Sequence, residues 1–140
     1  ILTQELYKSS MINFIKEEYI GTTRLGLPIY QIEITGNSTN GIPYDKRKEI
    51  LILGRIQPGY PEESFLSKYD TKLLDPFNPL SFYAREIFIF RIIGFLNPDG
   101  VILGNTKCNF SGRDLSRSWK NVNSILAMEI DEIISYVKKG

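Results

Sequence analysis

Two short apolar runs, residues 49–56 (EILILGRI) and residues 86–96 (EIFIFRIIGFL), constrain the fold of this chain more than any other feature. Their length and near-continuous apolar character predict strands buried on both faces, as in a sheet covered by helices. Each run delivers its carboxyl end to a turn, Gln57-Pro-Gly59 after the first and Asn97-Pro-Asp-Gly100 after the second. Open α/β sheets gather ligands at the carboxyl ends of such strands. The two turns are therefore expected at one edge of the sheet.

The flanking segments fill in the architecture. Residues 3–17 place Tyr7, Met11, Phe14 and Ile15 at helical spacing behind Thr3 as an N-cap, which predicts an amphipathic opening helix. From Tyr19 the pattern alternates, and Leu25-Gly26 predicts the turn of a hairpin that ends near Ile34. The Gly/Ser/Asn/Pro loop at 37–45 leads into Asp45-Lys-Arg-Lys48, expected to be a solvated loop. After Pro61, a helix with Glu62 and Glu63 at its positive end would turn Phe65, Leu66, Tyr69, Leu73 and Leu74 inward until residues 75–80 break it. A last helix over 124–139, with Ser124 as N-cap, carries Ile125, Met128, Ile130, Ile133, Ile134 and Val137 on one face. Strand, helix and strand in alternation predict an α/β fold with a mixed parallel/antiparallel sheet flanked by helices, the antiparallel part supplied by the hairpin.

At 140 residues and 42% hydrophobic, the chain suits one domain spanning 1–140. Its 17 basic and 16 acidic residues create no global field for nucleic acid or an anionic membrane, so neither partner is expected and any anion site must be local. No run is long enough to span a bilayer, and no basic-then-apolar leader is visible. One cysteine, Cys108, fits a reducing compartment such as the cytoplasm, and the missing initial methionine suggests part of something longer. The most telling count is zero histidines, because histidine is the commonest metal ligand and the usual acid or base near neutral pH.

The stretch NPDGVILGNTKCNFSGRDLSRSW, residues 97–119, gathers Lys107, Arg113 and Arg117 within eleven positions beside the only tryptophan, a pattern that suits an anion. Together with Arg55-Ile-Gln-Pro-Gly-Tyr60, it resembles the M14 zinc carboxypeptidases, most closely the cytosolic carboxypeptidases that trim glutamates from tubulin and other acidic tails. The resemblance implies a partial zinc-carboxypeptidase-like fold: the N-terminal half of the catalytic domain, without the half that carries the third zinc ligand and the catalytic glutamate. A half-domain would leave the sheet open on one side, to be covered by more chain or a partner.

Where that family places a histidine and, three residues on, a glutamate as zinc ligands, this chain has Gln57 and Tyr60. A neutral amide and a phenol of reference pKa about 10 are poor substitutes for imidazole and carboxylate. No metal ligand, no catalytic residue and no bound zinc are therefore expected of this chain; Gln57 and Tyr60 would simply fill the former metal cavity. The family's Asp-Leu-Asn-Arg corresponds to Asp114-Leu-Ser-Arg117, so the resemblance gives Arg117 the substrate carboxylate, with Ser116 in a reduced supporting role. Its oxyanion arginine corresponds to Lys107, which keeps the charge and loses the fork. The bland alternatives stay open: Arg113, Asp114 and Arg117 as a structural ion-pair cluster with Trp119 beneath, and Cys108 as a small buried residue rather than a thiolate activated by Lys107.

Three functions follow from these residues. The leading one is a catalytically inactive M14-like binding or scaffolding module, recognising acidic C-terminal tails within a larger cytosolic or cytoskeletal assembly. The resemblance makes tubulin, microtubules or cilia the setting. The second is an active zinc carboxypeptidase of the protein-deglutamylase type, with Glu62 or Glu63, Cys108 and residues beyond 140 as ligands. The third is a purely structural part without metal or ligand.

Overall fold

The computed structural model describes residues 15–37, 41–60, 75 and 77–139. Four strands form one mixed sheet: β1 (Ile15–Thr22), β2 (Pro28–Ile34), β3 (Lys48–Leu53) and β4 (Phe88–Ile93), in the order β1-β2-β4-β3. β1 and β2 are the expected hairpin, and β2 also runs antiparallel to β4, whereas β3 and β4 are parallel. The hairpin turn closes through Thr23 and Leu27, with Gly26 at φ 80°, a left-handed conformation that glycine adopts without steric cost.

Among the described residues, three α-helices accompany the sheet: α1 (Pro79–Ile87), α2 (Pro98–Ile102) and α3 (Met128–Lys139). Ile130 and Ile133 of α3 pack with Ile29, Ile93, Leu96, Leu115 and Ala127 into the main core on one face of the sheet. On the other face Ile34, Phe90 and Ile92 are buried among Ile15, Ile32, Ile50, Ile52, Ala84 and Phe88.

Several expectations are corrected. Ile15 begins β1 instead of ending a helix, because pairing with Ile34 and packing against the second core outweigh its helical spacing. The run at 49–56 gives an edge strand among the described residues: β3 pairs only with β4, and Leu51 is 39% exposed. The run at 86–96 contributes strand only over Phe88–Ile93. Before it, α1 takes Glu86 and Ile87 from the expected strand together with residues 81–85, for which no element is predicted; it is started by Asn78, whose side chain accepts from the Leu80 N–H, and by a proline in the first turn. α3 starts at Met128; Asn123, not Ser124, accepts from the Ile125 and Leu126 N–H groups of the preceding turn, and Ile125 and Val137 are exposed. In the supposedly solvated basic loop, Arg47 is buried, donating to the carbonyls of Gly36, Ile42 and Arg85. The helix expected at 61–74 and the first part of the opening helix lie outside the described residues.

Within β4, opposite Glu33 of β2 and Leu51 of β3, Arg91 forms a polar hub. It grips Glu49 with two bonds of 3.0 and 2.9 Å, pairs with Glu33 at 3.1 Å and donates to the Tyr136 hydroxyl. Tyr136 donates to Glu18 at 2.7 Å, so the hub joins all four strands to α3. The Glu49 carboxyl is held below its ordinary pKa, first by its hydrogen bonds from Arg91.

Candidate functional site

Both turns do lie at one edge. The Gly54 N–H donates to Ile93 at 2.7 Å, while the Leu96 and Asn97 N–H groups donate back to Gly54 and Arg55. Arg55 has φ 53°, an uncommon left-handed conformation for a residue with a side chain. Its guanidinium donates to the Pro58 carbonyl at 3.0 and 3.1 Å and lies over the Phe95 ring. The first turn is thereby clamped, and the Gly59 N–H ties it to Thr106 at 2.9 Å.

The second turn is the start of α2. Asn97, fully buried, accepts from the Gly100 N–H at 2.9 Å and donates to the Ile56 carbonyl at 3.3 Å, which bonds one turn to the other. Buried Asp99 accepts from the Thr23 hydroxyl and the Leu25 N–H, fastening the hairpin turn to the same edge. A Cβ on Gly100 would stand 2.6 Å from the Cys108 carbonyl and 2.7 Å from Pro58 Cγ, so the approach of the two loops requires glycine there.

The loop that follows presents the cations. Cys108 bridges to Asp114, and Asn109 closes the intervening turn, accepting from the Ser111 and Arg113 N–H groups at 3.0 Å each. The DLSR motif forms a single 3-10 turn, Leu115–Arg117. Its logic is one residue in, two out: Leu115 is buried in the main core, whereas Ser116 and Arg117 face solvent. Trp119 packs against that core too.

Gln57 reaches from the first turn into this motif. Its Nε2 lies 3.5 Å from Asp114 Oδ2 and 3.4 Å from Ser116 Oγ. The Ser116 hydroxyl donates to Asp114 Oδ1 at 2.5 Å, and Arg117 Nε pairs with Asp114 Oδ2 at 3.6 Å. The Asp114 carboxyl is held below its ordinary pKa, first by the Ser116 hydroxyl, with Gln57 and Arg117 adding to it. The Arg117 side chain is 85% exposed, leaving its two terminal nitrogens free to take a carboxylate in fork geometry.

Gln57, Asp114, Ser116 and Arg117 are thus brought together. Tyr60, Lys107 and Arg113 are exposed, and their side chains make no hydrogen bond or ion pair to any described residue; the Tyr60 N–H donates to the Gln57 carbonyl at 3.3 Å. Cys108 is half-buried with a free thiol. Glu62 and Glu63 lie outside the described residues. Among the described residues, no three of His, Cys, Asp or Glu converge on a point that could hold a metal ion. At position 57 an amide nitrogen, which cannot coordinate, is turned toward Asp114. This donor set does not fit zinc.

Sequence reasoning missed the buried supports, Asn97, Asp99, Asn109 and Glu129. Only the first left a local signal, an Asn-Pro pair of the kind that caps a helix.

No protein-family model matches the chain. In sequence it is similar to cytosolic carboxypeptidase 2 of Xenopus tropicalis, 39% identical over 69% of this chain and 10% of that protein. It is also similar to cytosolic carboxypeptidase 1 of Gallus gallus, 42% identical over 57% of this chain and 6% of that protein. Against human cytosolic carboxypeptidase 2 the identity is 31% over 78% of this chain and 12% of that protein. The chain thus spans about a tenth of the length of the curated relatives it matches. In fold, 99% of it overlays 36% of a metallo-carboxypeptidase from Burkholderia cenocepacia, with a TM-score of 0.84 at 20% identity. A carboxypeptidase A from Shewanella denitrificans gives 0.83 over 34% of that chain at 21% identity.

Proposed function

We propose, for a chain that is part of the M14 metallo-carboxypeptidase fold and related in sequence to the cytosolic carboxypeptidases, a binding function without peptidase chemistry: recognition of an acidic polypeptide's terminal carboxylate. The observation that carries this reading is the contrast between Gln57 and Arg117. The first is bonded inward at the position of a zinc ligand, and the second stands 85% exposed with its fork open. A guanidinium next to an incoming carboxylate gains two charge-assisted hydrogen bonds. Exposed Lys107 and Arg113 add positive charge for a glutamate-rich tail. Hydrolysis would need an activated water, and the described residues supply neither metal donors nor a histidine to activate one.

The proposed setting is cytoplasmic, as the relatives' names say of them, and the proposed partner class, which follows from the proposed carboxylate recognition, is an acidic-tailed protein such as tubulin in a cytoskeletal or ciliary assembly. Among the described residues no helix is long and apolar enough to cross a membrane.

A second reading, an active zinc carboxypeptidase whose other ligands lie outside this chain, is favoured by one observation: the chain overlays only 36% of a solved metallo-carboxypeptidase. Metal analysis after dialysis against a weak chelator separates the two. The binding reading expects far less than one zinc per chain. A full equivalent, together with chelator-sensitive release of C-terminal amino acids, would establish the second reading instead.

A further inference from the structure

Glu129 is fully buried in the first turn of α3, where its carboxylate accepts from its own backbone N–H and from the side chain of Asn109, at 3.1 and 3.4 Å. The same amide nitrogen donates to the Leu126 carbonyl at 2.9 Å, so Asn109 is bonded to the helix start twice. Its other side-chain atom, Oδ1, holds the Ser111 and Arg113 N–H groups, and its own N–H donates to the Arg113 carbonyl at 2.8 Å. From Arg113 the chain passes directly to Asp114, whose carboxylate caps the Leu115–Arg117 turn. An unbroken series of bonds therefore runs from the inside of α3 to the exposed guanidinium. The charged group facing Glu129 from α2 is Asp99, also fully buried, and no cation pairs with Glu129 among the described residues. A carboxyl group so placed is costly unless the contact it makes is useful.

We infer that Asn109 and Glu129 form a latch that positions the cation-bearing loop, fixing Arg113 and Arg117 relative to the core so that they meet a terminal carboxylate as one preformed surface. Glu129 is a positioning residue: it lies in the core and acts on the ligand only through Asn109 and the 109–114 turn. The inference rests on the carboxylate-binding reading for its function, while its structural half stands by itself. Rigid presentation matters because a displacement of about 1 Å in a recognising group can cost about a hundredfold in what it recognises.

The test uses the full chain with Glu129→Met, which preserves volume and deletes the acceptor, and Glu129→Gln, which keeps an acceptor oxygen. Two readouts are taken: amide hydrogen exchange at Ser111 and Arg113, and binding of a glutamate-ended peptide by calorimetry. Glu129→Met is expected to speed exchange at both amides about tenfold while the β4 amides stay protected, and to weaken peptide binding about tenfold. Glu129→Gln is expected to restore both. Unchanged exchange at Ser111 and Arg113 in Glu129→Met would overturn the latch, whatever the binding shows. Faster exchange with peptide affinity unchanged would overturn its link to the ligand. If the wild-type protein itself ignores the peptide while exchange responds as stated, the carboxylate reading fails and the latch stands. Should Glu129→Met not fold, Asn109→Asp, which keeps the oxygen that accepts from the Ser111 and Arg113 N–H groups and withdraws the donor to Glu129, gives the same two readouts.

Discussion

The two loops at the carboxyl ends of β3 and β4 are built to similar standards and carry opposite chemistry. The turn at 54–60 is clamped by Arg55 and stitched to Leu96, Asn97 and Thr106, yet what it presents, Gln57 and Tyr60, is bonded inward or idle. The loop at 97–117 is stitched through Asn97, Asp99 and Asn109, and it presents a guanidinium that is paired with Asp114 through Nε and open at its two terminal nitrogens. The clamped backbone of the first turn serves as the wall against which the second loop is fixed.

That contrast can be broken most severely where the loops touch. Gly100→Ala forces a methyl between Pro58 and the Cys108 carbonyl, and should lower stability by about 3 kcal/mol in chemical denaturation. Asn97→Ala removes both a helix cap and the bond to Ile56, at about 2 kcal/mol on the same measurement. Arg117→Ala should leave the melting temperature unchanged, since the side chain is 85% exposed, but weaken binding of a glutamate-ended peptide about tenfold or more. Gln57→Ala lies at the small end, within about 0.5 kcal/mol, because its two contacts are long and partly solvated. A loss of several kcal/mol from Gln57→Ala would mean that the first turn still holds the site together.

A pH series sharpens the picture of the support behind the second loop. Burial, above all, raises the Glu129 carboxyl above its ordinary value of 4.5, with Asp99 adding to the shift and Asn109 opposing it. A raised carboxyl binds its proton more tightly folded than unfolded. Stability should therefore fall as pH rises from about 4.5 through the folded value and then level off. Urea unfolding of wild type against Glu129→Gln checks this: the variant should lack that decline.

Much of this was legible in the residues. The hairpin at Gly26, the mixed sheet and the convergence of the Gln57 and Asn97 turns follow from short-range patterns that a single sequence displays. The elements that were misread are those decided by distant partners. Ile15 reads as helical until Ile34 is set opposite it, and 49–56 reads as a central strand although β3 is an edge among the described residues. Arg91 and Arg47 look like surface charges in a linear reading, and only the fold brings Glu33, Glu49 and the carbonyls of Gly36, Ile42 and Arg85 to them. At the candidate site, the exposed residues of the 107–117 stretch carry a local pattern, whereas Asn109 and Glu129, twenty positions apart, could be joined only by the packing of α3.

The central claim is that Arg117 takes a terminal carboxylate without metal. The decisive measurement is isothermal calorimetry of the full protein with a glutamate-rich peptide bearing a free C-terminus and with its C-terminally amidated twin, each with and without chelator. Binding of the free acid, at least about tenfold weaker for the amide and indifferent to chelator, is the predicted result. Equal affinity for both peptides, or binding that chelator abolishes, would contradict it.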